Sequence, residues 1–396
     1  MASPSEPKKV FVAATGQDQG KTTVSLGLIS AFREYFPPVG FIKPVGQRYL
    51  VEEGVQVDED AVLFKRALTA DGPLKSLNPV TIPRGFTEEY IFHRDRRKIL
   101  RPIQKAFAQV AAGKDLVIIE GTGHAGVGSV IDASNAAVAK MLEADCIIVS
   151  GGGIGRCIDE NCLSRALFER EGVRCLGAII NKVYQDKYEK IDRAVRRGLK
   201  NIGMKCLGVI PYRAELTYPT VAQLQDELGL EVLCGEANLG NKVRHILVGA
   251  MQPQNMIGYL QDGCLVVVPG DRVDNIVTSV NAHLLEDRGT HLHIAGLLLT
   301  GGLIPHLSIV NMLRQVDVPV VLSDEDTATA AYEARQLVAK ITPRDADKIA
   351  LAVDLIAEHV DLDAIFADNA APGSCLQKER KKRTLTTKGA KNAKKR

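Results

Sequence analysis

Long apolar runs are missing from this chain of 396 residues. None approaches the ~18 residues that a membrane span requires, so no membrane partner is expected. The opening residues, Met1-Ala2-Ser3-Pro4-Ser5-Glu6-Pro7-Lys8-Lys9, lack the apolar stretch of a secretory signal. CxxC pairs are missing too. Cys146, Cys157, Cys162, Cys175, Cys206, Cys234, Cys264 and Cys375 are scattered, and several fall in apolar, strand-like runs. Reduced thiols of a cytoplasmic protein are therefore expected, not disulfides or zinc. His291-Leu292-His293 has no third ligand nearby, so no metal is read there.

A basic body is also lacking, although the net charge of +3 suggests one. Residues 376–396 hold ten Lys or Arg and one Glu, a local +9, which leaves residues 1–375 at −6. The basic character belongs to a tail, which suits an acidic partner or nucleic acid; the body has no such footprint.

What is present is an ordinary globular composition, 45% hydrophobic and 24% charged, long enough for two domains. Short apolar runs alternate with helical stretches. Strands are expected at Val10–Ala14, Val39–Ile42, Leu116–Ile119, Cys146–Val149, Leu176–Ile180 and Leu207–Ile210, with helices at Val24–Phe36 and Ala133–Leu142 among them. Leu116–Ile119 is continuously apolar, as a strand covered on both faces reads. The pattern predicts a doubly wound α/β layer around a parallel sheet. After Thr217-Tyr218-Pro219-Thr220 a second, smaller α/β series begins. Its strands are expected at Val243–Val248, Leu265–Val268, Ile294–Leu299 and Val318–Leu322, with helices near 273–287, 307–315, 327–339 and 344–359. The boundaries read as 1–222, 223–365 and a disordered basic tail over 366–396.

The strongest motif lies between the first strand and its helix: Thr15-Gly16-Gln17-Asp18-Gln19-Gly20-Lys21-Thr22. It follows the P-loop pattern GxxxxGK[ST], except that Thr15 stands at the leading glycine. Backbone N–H groups from Gly16 to Thr23, at a helix N-terminus, suit a polyphosphate. Lys21 would neutralise the β- and γ-oxygens and Thr22 would reach Mg²⁺. Glu120 ends the strand Leu116–Ile119 and points out of the sheet's carboxyl end, where α/β ligands bind. Asp58 and Asp60 open a short helix; Asp60 with Glu120 is the chosen Mg²⁺ pair. Lys43 follows the second strand, where a cation can stabilise a transferring phosphate. Gly151-Gly152-Gly153-Ile154-Gly155 follows another strand and could approach substrate or a second subunit.

Thr15–Thr22, the Lys43-Pro44-Val45 turn, Asp60, Glu120-Gly121 and Ile180-Asn181-Lys182 occur in the order seen in dethiobiotin synthetase, and cobyrinic acid a,c-diamide synthase is similar. The resemblance implies ATP with Mg²⁺ and γ-phosphoryl transfer to a carboxylate or carbamate. Carried over by position, Lys21 and Thr22 bind phosphate, Asp60 and Glu120 bind Mg²⁺, and Lys43 contacts the substrate-side phosphate. Lys21 and Lys43 form the catalytic pair, while Asn181 and the loop from Pro211 hold the adenine. Gly16 occupies the place of the signature lysine of the septum-site and partition ATPases, which sets the chain apart from them. Downstream, Gly270-Asp271-Arg272 and Leu299-Thr300-Gly301-Gly302 resemble the Asp-Arg and Thr-Gly-Gly elements of the DRTGG domain. Asp271, Arg272, Thr300, Gly301 and Gly302 become ligand or partner contacts, with tight turns that merely close the fold as the alternative.

The two-domain pair over residues 9–362 resembles the N-terminal regulatory half of long phosphotransacetylases. No transacetylase catalytic domain follows, so acetyl transfer is not expected. Two functions stay open: a regulatory or sensor ATPase, and an ATP-dependent ligase of the dethiobiotin synthetase type, whose nitrogen donor would be free ammonia or the substrate's own amine because no glutaminase domain is visible. A homo-oligomer and an unidentified small-molecule ligand are expected partners.

Overall fold

The computed structural model describes residues 6–287, 290–337 and 339–366, the side chains of 286–291 excepted. The chain divides into two compact units: residues 1–213 together with the segment from Ile341 onward, and Ala214–Lys340. Residues 367–396 of the expected tail, and Cys375 with them, lie outside the described residues. No helix among the described residues is long and apolar enough to cross a membrane.

The first unit follows the expected alternation: β1 (Lys8–Ala14), α1 (Lys21–Phe32), β2 (Val39–Ile42), α2 (Glu59–Ala67), α3 (Arg96–Ala111), β3 (Leu116–Glu120), α4 (Asn135–Met141), β4 (Asp145–Gly151), α5 (Gly155–Arg170), β5 (Cys175–Val183), α6 (Tyr188–Asn201) and β6 (Cys206–Pro211). They form a six-stranded sheet in the order β6-β5-β4-β1-β3-β2, parallel throughout. Every residue of β3 is buried, as its continuous apolar run requires. The order reverses at β1, so the carboxyl ends of β1, β3 and β4 open the crevice where ligands of such sheets bind. An unexpected antiparallel hairpin, Tyr49–Glu52 with Val55–Asp58, delivers Asp58 to that crevice.

Two expectations are corrected here. Helix α1 begins at Lys21, not Val24, because Gly20 takes a left-handed conformation that lets the helix start at once, and it ends at Phe32, not Phe36. The second correction is larger. The helix expected near 344–359, α11 (Ala346–His359), was grouped with the second series but belongs to the first unit. A Cβ on Gly27 of α1 would lie 2.2 Å from Ile356 Cγ1 and 2.8 Å from the Ala352 carbonyl oxygen. Val360 then forms an antiparallel bridge to Gly208 within β6. Helix α1 is apolar nearly all round because one side meets the sheet and another meets α11.

The second unit runs α7 (Val221–Leu228), β7 (Glu231–Cys234), β8 (His245–Val248), β9 (Cys264–Pro269), α8 (Val273–Leu284), β10 (Ile294–Thr300), α9 (Leu307–Leu313), β11 (Val320–Leu322) and α10 (Thr327–Gln336). Its five-stranded sheet has the order β7-β11-β10-β9-β8; β8 to β11 are parallel, and the unanticipated β7 is antiparallel to β11. Thr220 and Gln223 form a reciprocal capping box that starts α7. The seven cysteines among the described residues are free thiols, Cys162 alone being exposed.

The Gly27 contact yields a test. Alanine in place of a helical glycine ordinarily gains roughly 0.5–1 kcal/mol, whereas forcing a methyl into a packed contact costs about 1–3 kcal/mol. Gly27→Ala should therefore lower the denaturant midpoint of the first unit. A raised midpoint would show that α11 does not pack on α1 in solution.

Candidate functional site

The loop from Thr15 to Gly20 joins the carboxyl end of β1 to the start of α1. Asp18 (φ 54°) and Gly20 (φ 86°) are both left-handed, which folds the loop back over the helix end. A Cβ at Gly20 would sit 2.2 Å from Asn181 Nδ2, so the position admits only glycine. No side chain caps the first turn of α1, and no acid lies in it. Its first N–H groups and positive dipole end thus face the loop with no side-chain cap upon them.

The loop is braced from the ends of β4 and β5. Asn181 Nδ2 donates to the Gln19 carbonyl at 2.9 Å, and Lys182 Nζ donates to the Asp18 carbonyl at 2.5 Å. Lys182 is itself left-handed (φ 59°), and burial lowers its pKa. A Cβ on Gly151 would fall 2.5 Å from Gln19 Oε1, and one on Gly152 would fall 2.8 Å from the Lys182 carbonyl oxygen. The Gly151-Gly152 pair therefore gives room to the loop and its brace. Thr15 Oγ1 donates to Glu160 Oε2 of α5 at 2.9 Å, so the residue that departs from the motif ties the loop to a neighbouring helix.

Below the loop, acids and bases converge. Thr22 Oγ1 lies 3.2 Å from Asp60 Oδ1 and 3.1 Å from Glu120 Oε1. Glu120 Oε2 is buried and has no hydrogen-bond partner. Burial, then the Asp60 charge, push the Glu120 carboxyl up to about 7, against the pull of Lys43 and Lys21. Lys21 is shifted down by burial, an effect partly offset by Glu120.

Lys43 is 6% exposed, far from the surface lysine that its position alone would suggest. Its ammonium donates to Asp58 Oδ1 at 2.7 Å and to Asp60 Oδ2. Burial disfavours its charge, but Asp60, Asp58 and Glu120 overcome that and hold its pKa above the ordinary lysine value. Asp58 caps α2 by accepting the Asp60 N–H at 3.1 Å, and it also accepts the Gln47 N–H at 3.2 Å. Asn78 fixes both flanks: its Oδ1 accepts the Asp58 N–H at 2.9 Å and its Nδ2 donates to the Lys43 carbonyl at 2.8 Å. Asp58, Asn78 and Lys182 were not among the chosen site residues. Asp58 was visible beside Asp60, but only folding shows that both acids hold Lys43.

The residues fit Mg²⁺ with a polyphosphate. A hydroxyl, a carboxylate and a carboxyl with an orphaned oxygen are the hard donors that Mg²⁺ takes, with waters and phosphate oxygens completing its shell. Among the described residues no group of three or more His, Cys, Asp or Glu offers a full protein cage. Pro211 ends β6, and beyond it Tyr212 pairs with Tyr184 after β5, ring centroids 5.1 Å apart.

In the second unit the fingerprint residues mostly close turns. Gly301 (φ 78°) and Gly302 (φ 64°) donate their N–H groups to the Glu325 and Ser323 carbonyls at 2.8 and 3.0 Å. Thr300 is 1% exposed and its hydroxyl pairs with that of Thr327 at 2.7 Å. A Cβ on Gly270 would fall 1.6 Å from the Leu303 carbonyl oxygen. Asp271 is exposed, and Arg272 forks onto the Asp274 carboxylate at 3.0 and 3.1 Å.

A braced, uncapped loop between strand and helix, with Lys-Thr at its end and acids beneath, defines the first unit as a P-loop domain. The AAA domain family model AAA_26 matches residues 8–220, more than half of the chain, and the chain belongs to that family. The DRTGG domain model matches residues 223–337. The phosphate acetyltransferase of Nitratidesulfovibrio vulgaris is 26% identical over 361 residues, covering 89% of this chain and 50% of that protein. The chain thus spans about half the length of that relative. The ATP-dependent dethiobiotin synthetase BioD of Xanthomonas campestris pv. campestris is 28% identical over 214 residues, 54% of this chain and 95% of its own. A MinC:MinD cell division protein complex from Aquifex aeolicus is 16% identical, covers 53% of this chain and 83% of its own, and has a TM-score of 0.34.

Two measurements check this electrostatic arrangement. Lys43→Ala leaves two buried carboxylates without their cation, and should destabilise the ligand-free first unit by roughly 3–5 kcal/mol in urea; a loss below about 1 kcal/mol would mean the pair is solvated. The second concerns Glu120. A carboxyl whose folded pKa lies above its unfolded value binds its proton more tightly when folded. Its contribution is complete below the ordinary value of 4.5 and is lost as pH rises through about 7. In EDTA without nucleotide, wild type should lose up to roughly 3 kcal/mol over that range from this group, and Glu120→Gln should flatten that part of the slope. Parallel pH profiles for the two proteins would refute the shift.

Proposed function

We propose that the chain binds ATP with Mg²⁺ at the P-loop and acts as a regulatory or sensor ATPase, with the DRTGG unit as its ligand-sensing or partner-binding half. The observation that carries the nucleotide reading is the convergence of Thr22, Asp60 and the orphaned oxygen of Glu120 beneath an uncapped helix start. Lys21, with the N–H groups of Gly16, Gln17, Asp18, Gln19, Gly20, Thr22 and Thr23, would hold the phosphates. Thr22, Asp60 and Glu120 would hold Mg²⁺, which when bound screens phosphate charge. Asn181 braces the loop, and it stands with Pro211 at the strand ends that would receive the adenine; the Tyr184–Tyr212 pair flanks that place. The regulatory part of the reading is supported by a resemblance to phosphate acetyltransferases that runs through both units, over half of those relatives' length.

A ligase acting on a small carboxylate or carbamate is the second reading. It is favoured by Lys43, whose charge is kept buried beside Asp60 as phosphoryl transfer would need, and by the match to nearly the whole of a dethiobiotin synthetase. In either case cytoplasmic location and nucleotide-dependent self-association belong to the proposal.

A ligand at ~100 times its dissociation constant adds roughly 2.7 kcal/mol to the stability of the state that binds it. ATP with Mg²⁺ should therefore raise the first unit's melting temperature by several degrees, and Lys21→Ala should abolish most of that rise. Absence of a shift with every nucleoside triphosphate would end the nucleotide reading. Steady-state ADP release should stay within about threefold of its basal rate across a panel of small carboxylates and amines, while light scattering reports an ATP-dependent change in mass. Stimulation of ADP release by a hundredfold or more, the scale of a transition-state contact, would replace the sensor with the ligase.

A further inference from the structure

A cavity of about 490 Å³ opens in the second unit at the carboxyl ends of β8 and β9, within the size range of small-molecule sites. One wall is α10. Its residues Ala328, Ala331, Tyr332 and Arg335 recur at helical spacing on the side facing the cavity, and the two alanines leave the space that longer side chains would fill. The floor is formed by Val248 and Pro269, the last residues of the two strands.

The polar groups are few and differ in state. Arg272 is already committed: its fork takes the Asp274 carboxylate, and its Nη2 also reaches the Met251 carbonyl at 3.2 Å. It walls the cavity as part of a neutralised pair. Arg335 is anchored through Nη2 on the Ile246 carbonyl at 3.2 Å, and no carboxylate pairs with it among the described residues. The N-terminus of α10 is capped by Asp326, which accepts the Ala328 and Thr329 N–H groups at 2.8 and 3.2 Å, so the helix end offers little to an anion. The free positive charge of the cavity is the Arg335 guanidinium, with most of its five N–H donors unengaged. Tyr332, 64% exposed and one helical turn before it, presents a planar ring to the same space.

We propose that this cavity binds a small organic anion with a planar or apolar body. Arg335 grips the carboxylate or phosphate monoester, and Tyr332 with the alanine-lined wall covers the body. The site is independent of the P-loop; it shares Arg272 with the DRTGG fingerprint and is lined also by Thr327, whose hydroxyl is engaged with Thr300, both as walls and not as the anion-binding group. It supplies a sensing half with a concrete input: occupancy by an anionic metabolite. A guanidinium–anion fork adds geometric selectivity that a point charge lacks, so lysine would be a poor replacement.

The test uses the full chain carrying Lys21→Ala, so that nucleotide at the P-loop does not contribute. Benzoate, phenyl phosphate and adenosine 5′-monophosphate, with acetate and inorganic phosphate as anions lacking a body and benzamide as a neutral body, are titrated by calorimetry. Body-bearing anions should bind at least tenfold more tightly than acetate or inorganic phosphate, and benzamide should not bind. Arg335→Gln, at an exposed position, should weaken binding tenfold or more, and Ala328→Leu should block the cavity. A preference for benzoate or for phenyl phosphate supports the site and assigns its head group. No heat from any anion at millimolar concentration, or binding undiminished in both variants, overturns the proposal. Because ATP binding by the unsubstituted chain is measured separately, failure here leaves the nucleotide reading standing, and the reverse also holds.

Discussion

Burying the Lys43 ammonium is tolerable only because Asp58 and Asp60 close around it, and much of the structure beneath the P-loop follows from keeping those three together. Desolvating one such charge costs several kcal/mol, so the geometry has to be good and the remaining lone pairs have to be used. The hairpin before α2, the cap that Asp58 makes on that helix, and the Asn78 bridge between Asp58 and Lys43 all serve this end. Even Gly46 is part of it, since a Cβ there would lie 2.6 Å from the Asp58 Cβ. The consequence for chemistry is that Asp60 is shared. It faces Lys43 with one oxygen and Thr22 with the other, so the lysine and the proposed metal corner are electrostatically coupled.

Opposite this cluster, the P-loop is held by groups that are themselves in uncommon conformations. Lys182 pays for a left-handed backbone, and in return its ammonium and the Asn181 amide secure consecutive carbonyls of the loop. Holding Asp18 and Gln19 by their carbonyl oxygens leaves the loop's N–H groups for an anion. The glycines at the end of β4 have the same purpose in negative: they are absent side chains, making room for Gln19 and Lys182.

The second unit repeats the parallel-sheet logic on a smaller scale, but its most recognisable residues act differently. Thr300, Gly301 and Gly302 bind other parts of the unit, and Gly270 permits the close approach of Leu303. A sequence fingerprint can mark a turn as readily as a ligand site, because both need glycine where a Cβ cannot fit. The open chemistry lies one helix away, on the face of α10.

Much was legible before folding. Continuous apolar runs of four to seven residues between helical stretches dictated a parallel sheet covered on both faces, and Lys21-Thr22 after a strand dictated the P-loop, since these signals are local. The acids were legible as candidates, Glu120 by its place at a strand end and Asp58 or Asp60 by theirs at a helix start. Tertiary structure decided the rest. That both Asp58 and Asp60 grip Lys43, that Asn181 and Lys182 brace a loop some 160 residues earlier, and that α11 returns to cover α1 depend on contacts between distant segments. An amphipathic helix carries the same pattern whichever apolar surface receives it. Composition and periodicity determined the layers; the close approaches left open by Gly27 and Gly208 determined which of them α11 would join.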